Sequence, residues 1–243
     1  MTTFPRALIE VTVAAPVDEV WRSLRDRDKL AQWFGWDSAT LPDEIDYFFF
    51  KQGKADDAAR TLHFDGEHDR FEVEPRGEGC VVRLVQPAPS GDHDWDDIFE
   101  DVVQGWMAFV QQMRFAVEHH RDDKRRTLFL SGAPLHDGDP LARAALGLPD
   151  AAAGSAYAIT APTGDALAGK VWHRGRHQVG VTVDGFGDGL LIAMDRAPHA
   201  KQPRGHVQVI LTTYGLDDAA FDELSARWKT WWSAHFDGTM PGC

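Results

Sequence analysis

The stretch Ala7-Leu-Ile-Glu-Val-Thr-Val-Ala-Ala-Pro-Val-Asp-Glu-Val-Trp-Arg-Ser-Leu24, followed by Asp28-Lys-Leu-Ala-Gln-Trp-Phe-Gly35, decides the fold. Its first seven residues alternate. Leu8, Val11 and Val13 are apolar and Glu10 and Thr12 polar, the pattern of a half-buried strand. Pro16 then sits where a helix accepts proline, with Asp18 and Glu19 just behind it at the positive end of the helix dipole. Val17, Val20, Trp21 and Leu24 follow at helical spacing and give that helix one apolar face. A second short helix is expected over Lys29–Phe34, closed by Gly35 as a left-handed cap.

Beyond Gly35 the sequence predicts mostly strands and turns. Ile45–Lys51 is an aromatic strand carrying Tyr47, Phe48, Phe49 and Phe50. Thr61–Phe64 and Asp69–Glu74 read as a hairpin around Asp65-Gly66, with Phe71 and Val73 on one face and Pro75 ending the run. Gly77-Glu-Gly79 turns into the strand Cys80–Val85, and Pro87, Pro89 and Gly91 break the chain. Asp94–His120 is the strongest element. Asp94 can cap it, Asp96 and Asp97 suit its first turn, and His119, His120 and Arg121 its last. Trp95, Ile98, Phe99, Val102, Trp106, Phe109, Val110, Met113 and Val117 form a wide apolar stripe. Such a helix, ~40 Å long at 1.5 Å per residue, needs a large apolar surface. A curved antiparallel sheet from residues 7–13 and 36–86 would supply it.

Residues 121–127 are charged and mark a boundary, with Lys124-Arg125-Arg126 expected as a solvated linker. The rest repeats the order of elements without repeating a residue motif. Thr127–Leu130 reads as a strand, and Asp139-Pro140 opens a helix through Leu141, Ala144, Ala145 and Leu148. Tyr157–Thr160, Gly169–His173, Gln178–Val183, Leu190–Met194 and His206–Thr213 read as strands. Asp217–Phe236 is a final helix with Phe221, Leu224, Trp228, Trp231 and His235 on one face. It is expected to grip its own strands, the two halves packing as one rigid body.

Composition excludes several classes. With 25 basic and 38 acidic residues the net charge is −13, which disfavours nucleic acid as a partner. No apolar run approaches the ~20 residues of a membrane span, so no membrane insertion is expected. No signal-peptide pattern opens the chain. The two cysteines, Cys80 and Cys243, form no framework, and a reduced, cytoplasmic setting fits them. No cofactor is expected.

Several residues in this order resemble the SRPBCC superfamily (START-like, polyketide-cyclase-like, helix-grip proteins), nearest its activator of heat-shock-protein ATPase-like branch. They are Ala15-Pro16-Val17-Asp18-Glu19-Val20-Trp21, Leu30-Ala31-Gln32-Trp33-Phe34, Gly77-Glu-Gly-Cys-Val-Val-Arg-Leu84 and Gly105-Trp106. The resemblance covers roughly residues 6–120. It implies an α+β helix-grip fold, a curved antiparallel sheet wrapped around a long C-terminal helix. That domain would span 1–122, with a second, diverged helix-grip unit in tandem over 127–243.

The resemblance also implies a cavity between sheet and helix. Trp33, Phe34, Trp36, Phe48, Phe50, Phe71, Trp95, Trp106, Phe109 and Met113 are its candidate lining. The expected partner is a hydrophobic or amphipathic small molecule, bound without assured catalysis. Gly105, a mid-helix glycine beside Trp106, suggests a close approach there or relief of crowding. The alternative is a cyclase- or hydrolase-like enzyme acting on a polyketide-type carbonyl compound. It would draw on Asp46, His63, Glu72 or Glu74, although alternation turns Glu72 and Glu74 away from Phe71 and Val73. A chaperone-related interaction module is the third reading.

Metal and nucleophile signals are weak. His63 and His68 flank a turn, and His173-Arg-Gly-Arg-His177 would make its histidines cross-strand neighbours if Arg174–Arg176 is the loop. His119 and His120 point to different sides of a helix. The run Asp184-Gly-Phe-Gly-Asp-Gly189 lacks the lysine of a phosphate loop and reads as a turn. Neither cysteine has a base partner.

Overall fold

The computed structural model describes residues 6–64, 69–86, 93–199 and 202–238. The chain is α+β with two antiparallel sheets and divides into two compact units. One holds the residues up to Gly35 and Ala39–Asp122; the other holds Trp36–Ser38 and the residues from Asp123 onward.

The first unit opens with strand β1 (Arg6–Val13). A register shift between Ala7 and Ile9 places a bulge at its start. Ile9, Val11 and Val13 therefore face the core, while Leu8, expected on that face, is half-buried. Helix α1 (Val17–Ser23) starts directly after Pro16. Helix α2, Arg27–Leu30, starts earlier than expected because Asp26 caps it through the amides of Asp28 and Lys29, and it ends earlier because the chain tightens into i→i−3 turns, Gln32 to Lys29 and Trp33 to Leu30. Gly35 does take the left-handed conformation, at φ +58°.

The aromatic strand expected over Ile45–Lys51 is a helix instead. Helix α3 (Leu41–Ile45) runs straight into a π-helical segment, Asp46–Gln52. Pro42 at the start, two acidic residues behind it and the apolar pair Ile45 and Phe49 four apart favour this over a strand. Gly53 ends it, since a Cβ there would lie 2.4 Å from the Phe49 carbonyl oxygen. Strands β2 (Lys54–Asp56), β3 (Thr61–His63), β4 (Arg70–Arg76) and β5 (Gly79–Gln86) follow, and the sheet order is β1-β5-β4-β3-β2. Pro75 lies within β4, opposite Cys80, rather than ending it. The Asp65-Gly66 turn and the Pro87–Gly91 break lie outside the described residues.

Leu62, Phe71, Val73, Val82 and Leu84 face helix α4 (His93–His119) in one apolar core. Gln112 ties α4 to the short helices through the carbonyls of Trp33 and Gly35, at 3.1 and 3.3 Å. Glu118 accepts the Ala14 amide at 2.7 Å. On the outer face Arg83 bridges Glu10 and Glu74 across three strands, and its guanidinium holds the Glu10 carboxyl below the usual range. Such exposed pairs contribute little individually.

The second unit begins where a linker was expected. Arg125 and Arg126 belong to strand β6 (Arg125–Pro134). Arg125 is buried, which draws its guanidinium down to about 10, with Asp37 pulling it back. Arg126 lies over the Phe221 ring at 4.0 Å and pairs with Asp218. Trp36 stacks on Phe129 with ring centroids 3.6 Å apart. Asp37 and Thr127 exchange hydrogen bonds, each backbone amide donating to the other's side chain, at 2.6 and 2.8 Å. Trp36 and Asp37 are thus built into this unit by one ring stack and two hydrogen bonds.

Helix α5 (Ala142–Ala145) is a single turn rather than the longer helix expected. Strands β7 (Ala156–Thr160), β8 (Ala166–Arg174), β9 (Gln178–Val183), β10 (Gly189–Arg196) and β11 (His206–Tyr214) then lead to helix α6 (Asp218–Ser233) and the two-residue strand β12 (Phe236–Asp237). The sheet order is β12-β6-β11-β10-β9-β8-β7. Asp217 caps α6 through the Ala220 amide at 2.8 Å. Leu224, Trp228, Trp231 and Trp232 share a core with inward residues of β6 and β8–β11. Helical structure stops before Phe236, which pairs with Pro134 in the sheet.

Candidate functional site

Phe34 is the hub of the first unit's aromatic cluster. It follows α2 and the turn closed by Gly35, which aims it at the π-helical segment and α4. Its ring meets Phe49 at 5.0 Å, Phe109 at 5.3 Å, Trp106 at 5.8 Å, and Trp33 and Phe48 at 6.0 Å. Most pairs are edge-to-face, the arrangement ring quadrupoles favour. A second circuit closes through Phe64, which meets Phe49 at 5.9 Å, Phe71 at 5.8 Å and Trp106 at 6.0 Å. Trp33 anchors the deep end, its indole N–H donating to the Ser23 carbonyl at 2.9 Å.

Burial grades along α4. Met113 and Val110 are fully buried, Phe109 and Trp106 half-buried, and Val102 is 43% exposed. Across Phe34 from Trp106, Phe48 is 36% exposed and its neighbour Tyr47 48%. The cluster is a packed core at the Met113 end and an aromatic surface reaching solvent towards the start of α4. Scattered apolar residues on a surface are ordinary; contiguous ones mark binding sites.

Of the expected lining, Trp33, Phe34, Phe48, Phe71, Trp106, Phe109 and Met113 come together. Phe50 lies at the edge, under the Arg27 guanidinium at 3.7 Å, and Arg27 also pairs with Asp46. Trp36 does not join; it stacks on Phe129 in the second unit. Trp95 lies in the first turn of α4, its side chain outside the described residues. Sequence reasoning missed Phe49 and Phe64. Strand alternation selected Phe48 and Phe50, whereas the helical spacing Ile45–Phe49 selects Phe49. Gly105 makes no close approach, since a Cβ there meets nothing within 4 Å.

The candidate acid–base residues are engaged elsewhere. Asp46 is held by Arg27 at 2.7 Å. His63 and Glu72 sit on the sheet face opposite Leu62 and Phe71, Glu72 paired with Arg70 and Glu74 with Arg83. Burial, with Glu118 adding to it, pushes the Cys80 thiol up to about 11, which makes it a poor nucleophile at neutral pH.

In the β8–β9 hairpin Arg174 pairs with Val179 and His173 with Gly180, so His177 lies in the loop and the two histidines are not partners. His173 shares a hydrogen bond with Gln178 at 2.9 Å. Among the described residues no group of three His, Cys, Asp or Glu could hold a metal. His68 and Cys243 lie outside them. No helix among the described residues is long and apolar enough to cross a membrane.

The chain matches no protein-family model and no curated protein. Among the solved structures similar over nearly the whole chain are the following. DynU16, a protein of the dynemicin biosynthetic locus, is 18% identical with a TM-score of 0.30, covering 93% of this chain and 94% of its own. The di-domain ARO/CYC BexL of the BE-7585A biosynthetic pathway is 13% identical with a TM-score of 0.36, over 95% and 93%. The di-domain ARO/CYC StfQ of the steffimycin pathway is 15% identical with a TM-score of 0.33, over 96% and 94%. Scores of this size are too low to carry fold or activity across, so strand order and side chains bear the functional reading.

Proposed function

We propose that the chain is a tandem helix-grip protein whose first unit binds an apolar, ring-bearing small molecule of the polyketide type. The single observation behind this is the graded burial of α4, from buried Met113 and Val110 to exposed Val102, with half-buried Trp106 and Phe109 against Phe34 and exposed Phe48 on the same ring. A ring compound there gains ~25 cal/mol for each Å² of apolar surface removed from water and meets aromatic edges ready for stacking. Asp46, His63 and Glu72 are turned away or paired, which supports binding without acid–base help from those three.

The rival, a cyclase- or hydrolase-like enzyme on a polyketide-type carbonyl compound, is the activity to which the ARO/CYC names of the similar structures point. One experiment separates the two. The full chain is titrated with a neutral naphthalene or anthraquinone derivative, and tryptophan quenching is followed. Trp106→Ala, removing ~55 Å² of contact, should weaken binding by about 1.4 kcal/mol, a factor of ten. Incubation with a linear poly-β-ketone compound, followed by mass spectrometry, should return it unchanged. Loss of water from the compound above the buffer rate establishes the enzyme. Absence of saturable quenching refutes the aromatic site.

A further inference from the structure

The second unit holds a charged pocket of about 300 Å³ beside α5. Arg143, Asp195, Arg174 and Asp150 line it, with Leu148 and Val179 as apolar wall. Asp195, near the end of β10, is 4% exposed. It accepts the Arg143 Nε at 2.7 Å and the Arg143 backbone amide at 3.3 Å. Leu141, preceding α5, offers no side-chain cap, so Asp195 supplies one from a neighbouring strand. Burial pushes its carboxyl up while Arg143 pulls it down.

This arrangement fixes Arg143 by one edge. Only Nε is used; its two Nη nitrogens have no protein partner among the described residues. A guanidinium oriented by a buried carboxylate and free along its Nη edge is preorganised for a bidentate acceptor. The second guanidinium, Arg174, pairs with Asp150, whose side chain is 87% exposed. A rim pair of that kind is worth only ~0–1 kcal/mol, so a better-placed carboxylate can replace it.

We infer that this pocket binds the carboxylate of a small amphipathic acid. The carboxylate sits on the Nη edge of Arg143 and on Arg174, displacing Asp150, and the apolar body lies on Leu148 and Val179. The chain carries a net charge of −13, which repels anions at long range. Recognition must therefore be local and must come from these two arginines.

The test titrates 2-naphthoate into the full chain by calorimetry, with 2-naphthalenemethanol as the neutral control. Saturable binding of the acid is expected, at least tenfold tighter than the alcohol. Arg174→Gln should weaken it about tenfold, the size of one lost charge-assisted hydrogen bond. Asp150→Asn should tighten it, since a competing carboxylate is gone. Both positions are partly or largely exposed, so both variants should fold. No saturable binding, or naphthoate affinity unmoved by both substitutions, overturns the inference. The first unit's aromatic surface would take acid and alcohol alike and ignore both substitutions, so the two readings fail separately.

Discussion

Trp228→Ala should remove a large part of the second unit's stability. The ring is fully buried between α6 and the sheet, and its indole N–H donates to Asp165 Oδ2 at 2.9 Å. Truncating a buried tryptophan costs ~3–5 kcal/mol. Asp165 itself is 9% exposed but keeps two other donors, Arg227 at 2.8 Å and the Thr163 hydroxyl at 2.7 Å. Its charge stays paired, so the larger penalty of an orphaned carboxylate does not add. At an m-value of ~2 kcal/mol per molar urea, the midpoint should fall by about 1.5–2.5 M. A loss of that size is about a fifth or more of a typical domain's ~5–15 kcal/mol.

Two phenylalanine variants divide the effect. Trp228→Phe keeps a ring and loses the hydrogen bond to a charged group, ~1.5–3 kcal/mol. Trp232→Phe removes a buried indole N–H that has no hydrogen-bond partner among the described residues, so relief of an unsatisfied donor offsets lost contact and the cost stays under ~1 kcal/mol. Urea unfolding followed by far-ultraviolet circular dichroism reads all three. A Trp228→Ala midpoint equal to the parent's, or a Trp232→Phe cost matching that of Trp228→Phe, refutes the reasoning.

Gly187→Ala should destabilise by more than ~3 kcal/mol. Gly187 sits at φ +69°, and an added Cβ would lie 1.7 Å from the Tyr214 carbonyl oxygen, so a thermal melt unchanged from the parent contradicts the turn. Asp37→Ala removes one of the two reciprocal hydrogen bonds to Thr127 and unseats the other; a loss of ~1–2 kcal/mol is expected, read as a urea midpoint lower by about 0.5–1 M. Cys80, its thiol raised from 9.0 to about 11, should resist alkylation in the folded chain through pH 9 and react on unfolding, as read by peptide mapping. Because folding favours the protonated thiol, its contribution to stability is whole below pH 9 and fades as pH approaches 11.

The strands of the second half were legible because alternation and glycine turns bound them; Gln178–Val183 is read to the residue. The long helix was legible because its stripe runs for more than five turns. Local pattern failed where tertiary context overrode it. Residues 45–51 hold β-favouring aromatics, yet the Leu41-Pro-Asp-Glu start and the Ile45–Phe49 spacing carry a helix through them. Lys124-Arg125-Arg126 looked like linker because charge usually means solvent, but Asp37 and Phe221 hold the two arginines in β6. Both partners are distant in sequence and invisible to any local reading. The Phe34 hub was visible as composition; its open and closed ends were not, because the grading of burial along α4 depends on which turns the sheet covers.

The most direct test of the central claim is a crystal structure of the full chain soaked with a neutral anthraquinone. The account predicts ordered ligand density against Phe34, Phe48, Trp106 and Phe109, with Met113 still packed beneath. Density elsewhere, or an aromatic surface left bare at a saturating concentration, would contradict it.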